Sequence, residues 1–166
     1  MEIFLTKFWT IVKFEIAYSN YSGPEVEIPA TEGPPIHYLQ GETLLSQSIL
    51  LHKRICALVT SEKVLPEQIV VLIGDGFTKA TRYKYLENLL LPRGIKWNKE
   101  SGVRPDSILL ETVKRFKGLE SEIVFIWGLP PTGDFDFDEV LYVGATRAVS
   151  DLTFVVDAVE LSRITA

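Results

Sequence analysis

The chain has one cysteine, Cys56, among its 166 residues. An internal disulfide is thereby excluded, as is every zinc pattern built on paired cysteines, and a reducing, cytoplasmic setting is the expectation. Histidine is nearly as scarce. His37 and His52 stand far apart without ligand spacing and read as ordinary structural residues rather than metal ligands or catalytic bases. Long apolar runs are also missing: no stretch approaches the roughly 18 residues that a membrane helix needs. The start, MEIFLTKFWTIVKFEI, has an acid near each end and no small-residue cleavage site, so neither an anchor nor a signal peptide is expected. Positive charge is in short supply. Against 22 Asp and Glu stand 17 Lys and Arg, leaving a net charge of −5 and a pI near 5.1. That balance excludes a broad basic surface, so any nucleic-acid contact has to be local.

What is present is a core. With 46% hydrophobic and 23% charged residues, the chain can bury one substantial interior, and one domain is expected. Residues 18–35, YSNYSGPEVEIPATEGPP, hold four of the nine prolines. This composition predicts a loop or linker, dividing an N-terminal segment and linker (1–35) from the body of the protein (36–166). Residues 36–40 suit a strand. Residues 42–61 suit a helix whose inward stripe carries Leu45, Ile49, Cys56 and Val59 and which closes before Pro66.

The run QIVVLIG at 68–74 is β-branched and apolar without alternation, the pattern of a strand covered on both faces in a parallel sheet. A helix capped by Thr78 is expected to run to Leu91, with Leu86, Leu89 and Leu90 inward and Lys79, Arg82, Lys84 and Glu87 mostly outward. A short strand is expected at 95–97. Further strands are expected at 107–113, 123–128 and 152–157, the last reached through a helix over 136–148. Alternating strands and helices define a layered α/β sheet.

Chemistry concentrates in two places. The connection TVKRFKGLE, residues 112–120, loads a short turn between two buried strands with Lys114, Arg115, Lys117 and Glu120. Ligands of open α/β sheets sit at strand carboxyl ends, and the turn after Val113 lies at such an end. There Gly118 would let backbone approach a ligand, Glu120 could accept hydrogen bonds from ribose hydroxyls, and the cations suit phosphates. Taken alone, such a turn more often carries charges that merely stay solvated. Phe116, between two cations, fits either a stacked base or a partly buried turn aromatic. The second place is LYVGATRA, residues 141–148, where small Gly144 and Ala145 precede Arg147. Its planar fork suits a phosphate, and an arginine there also complements the end of a helix.

Together these segments resemble a known family. TVKRFKGLESEIVFIWG is similar to motif V, and LYVGATRAVSDLTFVV to motif VI, of superfamily 1 helicases of the UvrD, Rep and PcrA kind. PEQIVVLIGDG, the helix after it and RGIKW resemble the opening of that family's second RecA-like domain. The resemblance covers roughly residues 64–158. It implies a three-layer RecA-like α/β domain with a mostly parallel sheet, of the P-loop NTPase type. By the resemblance, Glu120 contacts the nucleotide sugar, Gly118 shapes the turn, and Arg147 is the finger on the γ-phosphate. Thr112 contacts the single-strand backbone, with Lys114 where the family often has histidine.

Several family features are missing. No Gly-Lys-Ser or Gly-Lys-Thr occurs, so the phosphate loop of a first RecA-like domain is not in this chain. ATP and Mg²⁺ are thus implied only for a complete two-domain protein, none being bound by this chain alone. The expected partners are that first domain, in the same longer product or a separate chain, and single-stranded DNA or RNA. The family's Asn-x-Arg-x-Thr segment has no match after Leu5, where Thr10 stands without an arginine. Phe8, Trp9 and Phe14 there suggest a surface for self-association or for a partner. About ten residues between Trp97 and Ser107 are too few for the helical subdomain of larger relatives. Asp134, Asp136, Asp138 and Glu139 read as helix-start acids rather than a cation site. Two functions compete: the second motor domain of an ATP-dependent helicase, or a catalytically inactive remnant that binds a partner.

Overall fold

The computed structural model describes residues 35–130 and 136–165. In chain order the elements are β1 (Ile36–Gln40), α1 (Leu44–Thr60), β2 (Ile69–Ile73), α2 (Lys79–Glu87), β3 (Lys96–Asn98), β4 (Ser107–Thr112), β5 (Ser121–Trp127), α3 (Asp136–Ala145), β6 (Ala148–Val156) and α4 (Ala158–Thr165). The strands form one sheet in the order β1-β6-β5-β2-β4-β3. Every neighbouring pair is parallel.

Parallel pairing forces each connection across a face of the sheet. Crossovers that step toward the β3 edge, through α1 and α2, use one face. Those that step back toward β1, through residues 113–120 and α3, use the other, as a single crossover hand requires. The result is three layers, helix–sheet–helix, with a separate apolar core on each side.

One core joins Val70, Leu72, Val124, Ile126 and Phe154 of the sheet to Val140 and Val143 of α3 and Ile164 of α4. The other joins Val71, Ile73, Ile108, Phe125 and Trp127 to Leu51, Ile55 and Leu58 of α1 and to Tyr83 and Leu86 of α2. All five residues of β2 are buried, as its unbroken apolar run predicts. This is the α/β, RecA-like architecture expected from the sequence.

Four expectations need correction. First, α1 is rotated: Leu45 and Ile49 lie outward at 55% and 36% exposure, while Gln47, Ser48, Leu51, Ile55 and Leu58 face in. Apolar residues on both flanks of this helix let either stripe satisfy the periodicity. A Thr43/Ser46 capping box starts the helix, with each side-chain oxygen accepting the other residue's backbone N–H. Second, α2 stops at Glu87, leaving Leu90 89% exposed, and Arg82 points inward at 7% exposure. Third, Phe116 is 2% exposed, inside the core against α3 and α4, so no face remains for a base. Fourth, α4 was not anticipated. It begins with Asp157 and Glu160 exchanging side-chain and backbone hydrogen bonds, a capping box written in the sequence as DAVE. The apolar N-terminal residues Phe8, Trp9 and Phe14, together with Leu5, Thr10 and the self-association expected of that segment, lie outside the described residues.

Among the described residues no helix is long and apolar enough to cross a membrane. His37 approaches Asp151 at 3.3 Å, and His52 Nε2 lies 2.8 Å from the Leu90 carbonyl, both local ties.

Candidate functional site

The charged connection follows from how β4 ends. The Thr112 carbonyl accepts the Phe116 amide at 3.1 Å, and its Oγ1 accepts the Arg115 amide at 3.3 Å, closing a turn directly after the strand. Val113 and Phe116 anchor that turn in the core, at 1% and 2% exposure. Lys114, Arg115 and Lys117, in the intervening positions, are pushed to the surface. Lys114 and Lys117 line a cleft between this turn and α3, with Val113, Glu139, Val140 and Val143. Lys117 also lies 3.6 Å from Glu139. Asp134 lies outside the described residues, and α3 begins at Asp136.

Residues 113–120 then return along the sheet face to the start of β5. Thr112 pairs level with Ile73, and Ile73 with Trp127, the last residue of β5. Ser121, its first, pairs with Ala148 at the start of β6. Seven residues of strand separate those levels, roughly 20 Å at about 3.3 Å per residue. The expected carboxyl-end position is therefore corrected for part of the connection. Thr112 and Lys114 sit at strand carboxyl ends, while Gly118, Glu120 and Arg147 gather at the opposite, amino-end edge.

At that amino-end edge the two sequence segments touch. Arg147 donates from Nε to the Val143 carbonyl at 3.0 Å, from Nη1 to the Leu119 carbonyl at 3.2 Å and from Nη2 to Thr146 Oγ1 at 3.0 Å. Its own carbonyl accepts the Ser121 amide at 3.0 Å. The guanidinium thus closes the last turn of α3 and clamps it to the turn before β5. Glu120, next to the clamp, is exposed and makes no hydrogen bond or ion pair with any described residue. Gly118 has φ +87°, a left-handed conformation that disfavours side chains, and a Cβ there would meet nothing within 4 Å. The glycine is needed for backbone shape, and it leaves the surface open. Gly144 is the reverse case: a Cβ would come within 2.6 Å of Ile126 Cδ1, so its absence lets α3 lie close on the sheet.

At the carboxyl ends are residues that the sequence reading missed. Glu111, 3% exposed, accepts at one oxygen both Lys79 Nζ at 3.0 Å and the Thr112 amide at 2.9 Å, and its other oxygen faces Arg115 Nε at 3.6 Å. An acid inside an apolar strand, SILLET, was the available signal, since a buried carboxylate requires partners. Nearby, Arg82 stacks over the Trp127 ring at 5.1 Å and donates to Thr78 Oγ1 at 2.9 Å and Gln47 Oε1 at 3.4 Å. Burial lowers the Arg82 pKa, and Glu160, Asp75 and Asp157 oppose that shift by attraction. Gln47 Oε1 also accepts Trp127 Nε1 at 2.8 Å, and its amide donates to the Gly41 carbonyl at 2.9 Å. Gly128, φ +78°, makes room: a Cβ would lie 2.3 Å from Arg82 Cζ.

The fold is a three-layer, RecA-like parallel α/β sheet with an arginine clamp at one end of its strands and a cationic turn at the other. Residues 107–155 match the family model of the UvrD-like helicase C-terminal domain. That stretch contains all five residues singled out by the resemblance, Thr112, Lys114, Gly118, Glu120 and Arg147. The fold is also similar to the crystal structure of the C-terminal domain of a possible DNA helicase from Lactobacillus plantarum WCFS1. The TM-score is 0.55 at 17% identity, over 76% of this chain and 75% of that one. No curated protein matches the chain by sequence.

Proposed function

We propose that this chain is the second motor domain of a superfamily 1 ATP-dependent DNA helicase. In this reading Arg147 supplies the γ-phosphate finger, Glu120 and Gly118 meet the nucleotide sugar, and Thr112 and Lys114 hold the single strand. The observation that carries it is the joining of the two motif segments at one edge, through the Arg147 to Leu119 hydrogen bond beside the uncommitted carboxylate of Glu120. A separate edge for the strand, one strand length away, lets one domain bind both ligands without overlap.

The donor set fits one side of a nucleotide only. Glu120 can accept from sugar hydroxyls, and Arg147 can donate to a phosphate oxygen. Among the described residues no group of three His, Cys, Asp or Glu is placed to hold a metal ion. Bound ATP supplies the phosphoryl group for transfer, and the first domain must cradle it. Arg147 then stabilises charge that builds on the transferred group, once its guanidinium turns from the carbonyls it now caps.

A second reading, a catalytically inactive remnant that binds a partner, is favoured by that same capping, because the three donor nitrogens of Arg147 are already engaged. One experiment separates the two. The chain is paired with a first RecA-like domain bearing a phosphate loop, and DNA-stimulated ATP turnover is compared for wild type, Arg147→Lys and Arg147→Ala. The motor reading expects both substitutions to lower turnover by on the order of a thousandfold. Equal turnover in all three removes the finger, and no turnover by the wild-type pair supports the remnant.

A further inference from the structure

Glu111 is a buried carboxylate at the boundary between the sheet and the strand-facing turn. Keeping a charge in such a place costs free energy unless it is paired, and an apolar residue would pack as well. What an apolar residue cannot do is hold cations. Glu111 gathers two, Lys79 from α2 and Arg115 from the turn after β4, and ties them to the backbone of Thr112. Its own side chain is 4% exposed, whereas those of Lys79 and Arg115 are 25% and 62% exposed. The cations reach the surface and the anion does not. Two positive charges around one negative leave the cluster net positive, in a chain whose total charge is −5. Tyr83 of α2 completes the cluster: its ring lies 5.2 Å from Lys79 Nζ, and its buried hydroxyl has no hydrogen-bond partner among the described residues.

We propose that Glu111 is a positioning residue for a phosphodiester strand, holding Lys79 and Arg115 near Thr112 as two further backbone-phosphate contacts. The inference rests on the strand-binding reading of Thr112 and Lys114 and adds residues from a second element, α2, which that reading did not contain. The carboxylate holds the two cationic heads at a set spacing, so that they meet successive phosphates without first losing rotamer freedom. A lysine and an arginine contribute affinity without sequence preference, as backbone contacts do.

The test is fluorescence anisotropy of the whole chain with a short labelled oligothymidylate, titrated over a range of salt. Loss of one phosphate contact makes the plot of log affinity against log salt shallower by about 0.7. Lys79→Gln is expected to show that change and Lys79→Arg to retain the wild-type slope. Glu111→Gln removes a negative charge, so simple electrostatics expects tighter binding. Positioning expects the reverse, weaker binding by roughly three- to tenfold at low salt. Tighter or unchanged binding by Glu111→Gln reduces the carboxylate to a neutralising role and overturns the proposal. If Glu111→Gln fails to fold, the Lys79 pair decides, because Lys79→Arg keeps the charge beside Glu111 and the side chain is partly exposed. An unchanged slope for Lys79→Gln, with a shallower one for Lys114→Gln, sinks this inference and leaves the strand-binding reading intact. No binding by the wild type overturns both.

Discussion

Arg147 is expected to be a structural residue before it is a catalytic one, and Arg147→Ala tests this in the isolated chain. The side chain makes three hydrogen bonds, to Val143, Leu119 and Thr146, and stands at the C-terminal end of α3. Bonds from a charged donor contribute roughly 1.5–3 kcal/mol each when buried. Here the Leu119 bond is exposed and the other two half-buried, so water replaces much of what is lost and about 1–2 kcal/mol in total is the reasonable share. The helix-end charge adds about 0.3–1 kcal/mol. Arg147→Ala should therefore destabilise the domain by about 1–3 kcal/mol, read as a lower midpoint in urea at unchanged m-value. Arg147→Lys restores the charge without the planar fork and should recover only the helix-end part. An unfolding free energy for Arg147→Ala within about 0.5 kcal/mol of wild type refutes the reasoning, since bonds that contribute nothing clamp nothing. Turnover measurements on Arg147 variants must accordingly be made well below their melting temperatures.

Two further outcomes are expected. Gly128→Ala combines a left-handed backbone, costing about 1–2 kcal/mol, with a Cβ placed 2.3 Å from Arg82 Cζ, which adds about 1–3 kcal/mol of overpacking. In an Arg82→Ala background only the backbone part should remain, and equal costs in both backgrounds would show that the guanidinium is not the obstacle. Burial raises the pKa of Tyr38 and Tyr83 above the ordinary 10.0. The unfolded chain then loses these protons first as pH rises, so the stability they contribute is complete below about pH 10 and declines above it. Urea midpoints that stay flat from neutral pH to well above 10 would contradict this.

The sheet was legible in the sequence because its physics is local. An unbroken apolar run such as IVVLI needs cover on both faces, whatever surrounds it, and the structure gives β2 that cover. The helices were less legible because their rotation is decided elsewhere. In LLSQSILLHKRICALV both flanks are apolar, and periodicity alone chose Leu45 and Ile49. The structure turns Gln47 inward instead, where its side-chain oxygen accepts from Trp127, eighty positions away in sequence. Arg82 was assigned to solvent for the same reason: nothing local to KATRYKYLE shows that Gly128 will leave a space shaped for a guanidinium. Glu111, a charged residue inside the apolar strand SILLET, was the signal passed over.

The candidate residues were legible as a list and not as an arrangement, and the arrangement bears on mechanism. A single connection, residues 112–120, leaves the sheet at one edge with Thr112 and re-enters at the other with Glu120, anchored between by Val113 and Phe116. At its near end Glu111 ties it to Lys79. At its far end Leu119 ties it to Arg147. If Arg147 turns toward a phosphate, the Leu119 carbonyl loses its donor, and the displaced segment is the one that begins at the proposed strand contacts. Two candidate sites a strand length apart are thus joined by nine residues with a hydrogen bond or ion pair at each end. The physical requirement for coupling them is that this segment have two positions. The Leu119 to Arg147 bond is the contact whose making and breaking would distinguish them.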